Sequence, residues 1–177
     1  VPLSRQAAAM FEELKGLASG SEWIFPSRGN LKKPIAKSTL NVAVRTLEAD
    51  LAQVAEIQQR AGVPLEAGAF LGSSPIRMDV EGWDLAFLVA TARKAIAFCR
   101  RQEVPVMMVT EDSTRARPDV LKAIYGAALE EGAQAICLSD TCGHATPDGV
   151  RRLVRFIKDD VVKDRSVRID WHGHNDR

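Results

Sequence analysis

The sequence predicts a parallel α/β fold, read as part of a (β/α) barrel of about four βα units preceded by a small helical, basic segment. Three observations lead there. Uninterrupted apolar runs alternate with amphipathic helical stretches at a repeat of roughly 30–40 residues, the size of a βαβ unit. Buried parallel strands read as such continuous runs rather than as alternating patterns. Each run ends in a cluster of chemically able side chains, as the C-terminal strand ends of a barrel do. A doubly wound sheet shares the alternation, but no Gly-rich phosphate loop follows any of the runs.

The elements follow in order. Ser4 can cap a helix with Ala7, Met10, Phe11, Leu14 and Leu17 on one face. From Arg28 to Arg45 the chain carries Arg28, Lys32, Lys33, Lys37 and Arg45 and no acidic residue. Within this stretch Ser38 is expected to cap a second helix, with Leu40, Val44 and Leu47 aligned. A regular pattern then begins. A helix near 50–61 (Leu51, Val54, Ile57) ends at Gly62, and a strand runs from Leu65 to Leu71 into Gly72-Ser73-Ser74-Pro75. A long helix over 83–102 turns Leu85, Leu88, Val89, Ala92, Ile96 and Cys99 inward. Val104–Thr110 is the second strand, and Pro118 opens a helix whose face is Leu121, Ile124, Ala128 and Leu129. Ala135–Ser139 is the third strand. Thr146-Pro147 opens the last helix (Val150, Leu153, Val154, Ile157), and Val167–Trp171 is the fourth strand.

Composition narrows the function. At 177 residues and 46% apolar content the chain can bury a real core. A net charge of +1, from 24 basic and 23 acidic residues, excludes a wholesale polyanion binder. No apolar run approaches the roughly 18 residues of a membrane span. Three cysteines do not make a disulfide framework, so a reducing, cytoplasmic setting is expected.

The strand ends carry the candidate chemistry: Ser73, Ser74 and Arg77 after the first, Glu111, Asp112 and Arg115 after the second, Asp140 and Thr141 after the third, His172 and His174 after the fourth. Residues i and i+2 of a strand share a face, roughly 7 Å apart. Two imidazoles so placed can share one divalent cation, with Gly173 leaving room for it; the alternative is a pair of solvated histidines. Imidazole and oxygen donors suit zinc, manganese or magnesium. Glu111 can move a proton or orient a bound group, or instead pair with Arg115 and only fix the loop. Thr141 can donate to a substrate carboxylate, or cap a helix or turn after Asp140. Arg77 can pair with an anionic substrate group, or be a surface arginine after a Pro-containing turn.

Phe70-Leu-Gly-Ser-Ser-Pro-Ile-Arg77, Val109-Thr-Glu-Asp-Ser-Thr-Arg115, Leu138-Ser-Asp-Thr-Cys-Gly-His-Ala-Thr-Pro147 and His172-Gly-His-Asn-Asp176 resemble, in this order, motifs of one family. It is the group of 2-isopropylmalate synthase and homocitrate synthase, relatives of 3-hydroxy-3-methylglutaryl-CoA lyase called the DRE-TIM metallolyases, and the resemblance covers about 50–177. It implies a (β/α)₈ TIM barrel and an acyltransferase that condenses acetyl-CoA with a 2-oxo acid, as in leucine biosynthesis, with a homodimer possible. It implies His172 and His174 as metal ligands. It implies Glu111 in the acid/base apparatus and Thr141 on the keto-acid carboxylate, both lining the catalytic site; Ser74 and Arg77 are expected on the substrate from their strand-end position alone. The family's Arg-Asp-Gly motif is absent, and the four strands match the fourth to seventh of the barrel. The chain is therefore expected to be a fragment without turnover of its own.

Residues 1–48 resemble another family. Val1-Pro-Leu-Ser4, Trp23-Ile-Phe-Pro-Ser27 and Lys37-Ser-Thr-Leu-Asn41 are similar to part of the catalytic domain of phage-type tyrosine recombinases. That resemblance implies a DNA contact through Arg28, Lys32, Lys33 and Lys37, hence a domain boundary near residue 49. The alternatives to a condensing-enzyme fragment are thus a DNA-binding remnant and a truncated fusion without activity.

Overall fold

A computed structural model describes residues 26–27, 30–34 and 41–174, with the backbone course alone for 26–27, 30–34 and 41–43. The chain divides into two compact units between Leu40 and Asn41. In the first, β1 (Pro26–Ser27) pairs antiparallel with β2 (Asn30–Pro34). The helix expected after Ser4, along with Arg28 and Lys37, lies outside the described residues, as do the side chains of Lys32 and Lys33.

The second unit is an all-parallel five-stranded sheet whose spatial order follows the chain: β3 (Asn41–Arg45), β4 (Glu66–Gly72), β5 (Val106–Glu111), β6 (Ala135–Asp140) and β7 (Arg168–Gly173). Between the strands run α1 (Glu48–Ala61), α2 (Pro75–Glu81) with α3 (Leu85–Arg101), α4 (Pro118–Glu130), and α5 (Pro147–Phe156), which continues as a π-helical turn through Ile157–Val162. Sequential parallel order with one helical crossover per step is barrel connectivity.

β3 corrects the helix expected from Ser38. Asn41–Arg45 is extended and pairs in parallel with β4, Val44 opposite Ala69, and the helix starts only at Glu48. The helical spacing of Leu40, Val44 and Leu47 was outweighed by a sheet edge that takes a β-branched segment readily. Residues 41–45 therefore belong with the barrel segment expected to start near 49.

The helices obey local chemistry. Asp84 caps α3 by accepting the Phe87 N–H at 2.7 Å, and Thr146 caps α5 by accepting the Gly149 N–H at 3.2 Å, with Pro147 in the first turn. Leu88, Ala92, Ala95, Ile96 and Cys99 of α3 and Leu121, Ile124, Tyr125 and Ala128 of α4 are buried, as are Ala67, Ala69, Leu71, Met108, Ile136 and Leu138 on alternate strand positions. The expected inward faces hold less well at the margins. Ile57 of α1 is 53% exposed, and in the last helix burial begins only at Ile157. Those helices lie beside the edge strands, where fewer neighbours cover them. Arg93 ties α3 to α4 through Glu130 and Glu131.

The opposite, concave face of the sheet takes the other alternate positions. At its lower rim Arg168 bonds to Glu66 across β5 and β6 at 2.6 Å and to Asp170 at 3.0 Å. No helix among the described residues is long and apolar enough to cross a membrane.

Candidate active site

One cavity of about 340 Å³ lies on the concave face and reaches the C-terminal strand ends. Its lining follows the period-two rule: Gly68 and Phe70 from β4, Met107, Val109 and Glu111 from β5, Cys137, Ser139 and Thr141 from β6 and the loop after it, His172 and His174 from β7. Register fixes the neighbours. Gly72 stands opposite Glu111, and Ser139 opposite His172. The lower part is apolar, with Met107 and Cys137 packed together and Val109 against them. The polar groups gather at the open end.

The His172 and His174 rings sit 5.3 Å apart between centroids, with planes at 82°, both exposed at the end of β7. That spacing lets one nitrogen of each ring reach a shared divalent ion, so the pair fits as two of its ligands. No group of three or more His, Cys, Asp or Glu side chains able to hold a metal occurs among the described residues, so the imidazole pair is not a complete ligand set within them. Gly173 does not make the room expected of it. A side chain there would point away from the imidazoles and meet Trp171 Nε1 at 2.7 Å.

Glu111 is available because its expected partner is engaged. Arg115 grips Asp112 instead, its Nε at 2.8 and 2.9 Å from the two carboxylate oxygens and a terminal nitrogen at 2.6 Å. Asp112 has φ 62°, which turns the chain sharply after β5. The Glu111 carbonyl accepts the Ser73 hydroxyl at 2.9 Å and its N–H at 3.2 Å, fixing this strand end from the β4 side. Thr141 Oγ1 accepts the Asp112 N–H at 2.9 Å. That bond uses one lone pair of a hydroxyl that lines the cavity and also carries a proton it can donate. Thr141 does not cap the following helix; Thr146 does that.

Ser74 and Arg77 stand elsewhere. Ser74 is buried and caps α2, accepting the Arg77 N–H at 3.4 Å, so it has no access to the cavity. Arg77 pairs with Glu81 at 3.3 Å and lies 5.7 Å from the centroid of the Trp83 ring. It lines a neighbouring cavity of about 270 Å³ that shares Phe70 and Glu111 with the first. A Cβ at Gly72 would overlap Arg77 Cγ, so the glycine lets that side chain pass. Ser139 is a polar cavity residue not anticipated, and the apolar lining of Phe70, Met107, Val109 and Cys137 was not either; Ser139 shares the alternation of Cys137 and Thr141, which is the signal that marks it. Burial above all, then the nearby Asp170, pushes the Cys137 thiol up to about 11, so at neutral pH it is an uncharged wall residue.

Asp140 latches the two loops beneath the site. It is buried, and its carboxylate accepts the Ala145 N–H at 2.9 Å, the Thr114 hydroxyl at 3.2 Å and the His144 N–H at 3.3 Å. Burial pushes the carboxyl upward, but these donors, with the nearby His144 ring, outweigh it and hold the group below its ordinary value. A carboxyl depressed on folding stabilises the native state above the unfolded-state value of about 3.9, and that contribution disappears as pH falls through the folded-state value. Asp140→Asn is therefore expected to lower stability at pH 7 by about 1–3 kcal/mol. The gap to the parent should close below about pH 4 in urea titrations at matched pH. A pH-independent gap would mean that the carboxylate charge is not what the loops use.

The family model for HMGL-like proteins matches residues 26–177. The chain belongs to the HMGL-like family. Relatives include the 2-isopropylmalate synthase of Pyrococcus abyssi, 26% identical over 179 aligned residues, covering 99% of this chain and 37% of that protein. That of Neisseria meningitidis serogroup A is 30% identical over 165 residues, covering 91% and 31%. The chain thus spans about a third of the length of these relatives. Among solved structures, the HMG-CoA lyase of Brucella melitensis superposes with a TM-score of 0.59 at 14% identity, covering 96% of this chain and 54% of that one. The hydroxymethylglutaryl-CoA lyase of Pseudomonas aeruginosa gives 0.59 at 17%, covering 96% and 51%. These likenesses identify the five-stranded unit as part of a (β/α)₈ barrel. The HMGL-like match takes in residues 26–48, and the alignment to the Pyrococcus protein covers nearly the whole chain, so the expected recombinase resemblance and its DNA contact find no support.

Proposed function

We propose that this chain carries the β4–β7 portion of the catalytic face of a divalent-metal-dependent acyltransferase that condenses acetyl-CoA with a 2-oxo acid, in the manner of a 2-isopropylmalate synthase. The observation that carries the reading is the convergence of an imidazole pair, a carboxylate and a hydroxyl donor at the ends of three adjacent parallel strands, in one cavity. His172 and His174 would hold zinc, manganese or magnesium with oxygen donors from outside the described residues. An ion bound there supplies Lewis-acid polarisation of the keto carbonyl. Thr141 donates to the 2-oxo acid carboxylate. The wall of Phe70, Met107, Val109 and Cys137 receives an apolar substituent and excludes water from the reacting carbons. Glu111 holds or moves a proton at the open end. Carbon–carbon bond formation needs a proton taken from the acetyl methyl group and one delivered to the former keto oxygen, and water then releases CoA from the thioester. The sequence lacks the Arg-Asp-Gly motif, so the isolated chain is expected to bind a 2-oxo acid without turning it over.

Saturation-transfer NMR of the zinc-loaded chain tests this. A branched 2-oxo acid is expected to bind better than the carboxylic acid that lacks the keto oxygen. Thr141→Val should cost about 1–3 kcal/mol of that binding. Equal affinity for both acids, unchanged in the variant, would sink the proposal.

A further inference from the structure

Resting on the reading of His172 and His174 as ligands, we infer that Trp171 and Gly173 are positioning residues for that pair: the glycine is required by the tryptophan, not by the ion. β7 alternates. His172 and His174 face the cavity, while Trp171 and Gly173 share the opposite face. The Trp171 indole lies along the strand over Gly173, so closely that an added Cβ would stand 2.7 Å from Nε1 and 3.5 Å from Cδ1. A separation below 3 Å forces something to move. The indole is a rigid ring, so the clash is relieved either by rotation of this exposed side chain, 38% accessible, or by a shift of the strand end. β7 pairs in register with β6 as far as Gly173, and just beyond that end the His174 N–H reaches the Asp140 carbonyl at a long 3.4 Å. Indole contact on the outer face therefore supplements this bond in setting where the end of β7, and with it His174, comes to rest.

A double-mutant cycle separates this role from a need for glycine as such. Zinc or manganese binding is measured by isothermal titration on the full chain, on Gly173→Ala, on Trp171→Ala and on the double variant. Changes in groups that orient metal ligands cost about 10–100-fold in affinity. Gly173→Ala is expected to lose about tenfold where Trp171 is present and nothing in the Trp171→Ala background. Equal losses in both backgrounds, or none in either, overturn the inference. The histidine ring signals in NMR without metal give a second reading. Gly173→Ala should shift the His174 ring signals when Trp171 is present and leave them in place in the Trp171→Ala background. Should the parent chain bind no metal, the ligand reading fails while the NMR cycle still decides the positioning. Matching shifts in both backgrounds would then overturn it. Far-UV circular dichroism on all four proteins confirms that the comparison is made between folded chains.

Discussion

The variant His172→Ala with His174→Ala is expected to lose divalent-metal binding by more than the roughly 10–100-fold that changes in supporting groups cost. The reason is geometric. The rings are 5.3 Å apart on one face of one strand end, so binding requires no rearrangement between elements, and the double variant removes both imidazoles that line the cavity. Each single variant should fall between the parent and the double variant. The measurement is isothermal titration with zinc and with manganese. Identical weak binding by the parent and the double variant would mean that the pair is two solvated histidines, and the acyltransferase reading would lose its Lewis acid.

Why the rest of the site divides as it does follows from what spacing can and cannot express. Period two in a strand puts His172 and His174 on one face from sequence alone, and the same rule groups Cys137, Ser139 and Thr141. Apolar runs place all four anticipated strands within a few residues of their expected ends, but only β4, β5 and β6 are buried, and β7, which carries Arg168 and Asp170, is largely exposed. Partner choice was not legible. Arg115 is closer in sequence to Asp112 than to Glu111 by only one residue, and the left-handed turn at Asp112 decides which carboxylate it meets. The seven-residue helix α2 was equally hidden, because its Ser73-Ser74-Pro75 entry also reads as a turn. That hidden helix is why Ser74 spends its hydroxyl on a cap and Arg77 points into the neighbouring cavity. Asn41 to Arg45 departs from the expected helix for a different reason: a segment of this length is settled by the sheet edge it can join, which local periodicity does not contain.

Tyr125 presents the largest expected stability effect. It is fully buried on α4, yet its hydroxyl bonds the Cys137 carbonyl and the Thr110 hydroxyl, each at 2.6 Å. Thr110 Oγ1 in turn meets Ser113 Oγ at 2.6 Å, and Ser113 Oγ accepts the Ser139 N–H at 2.8 Å. The chain of bonds crosses from α4 to β6 and holds the turn that follows Glu111, immediately behind the cavity. Burial pushes the Tyr125 phenol far up, so it stays protonated and keeps its donor at any working pH. Tyr125→Phe leaves the ring and strands buried partners, for about 1–3 kcal/mol. Tyr125→Ala also opens a cavity, for about 3–5 kcal/mol. Urea unfolding should show the midpoint falling in that order, with the metal affinity of folded Tyr125→Phe close to the parent because the imidazoles lie on β7. If Tyr125→Phe matches the parent in stability, the network is not what holds the Glu111 turn, and the packing of the ring alone would account for the residue.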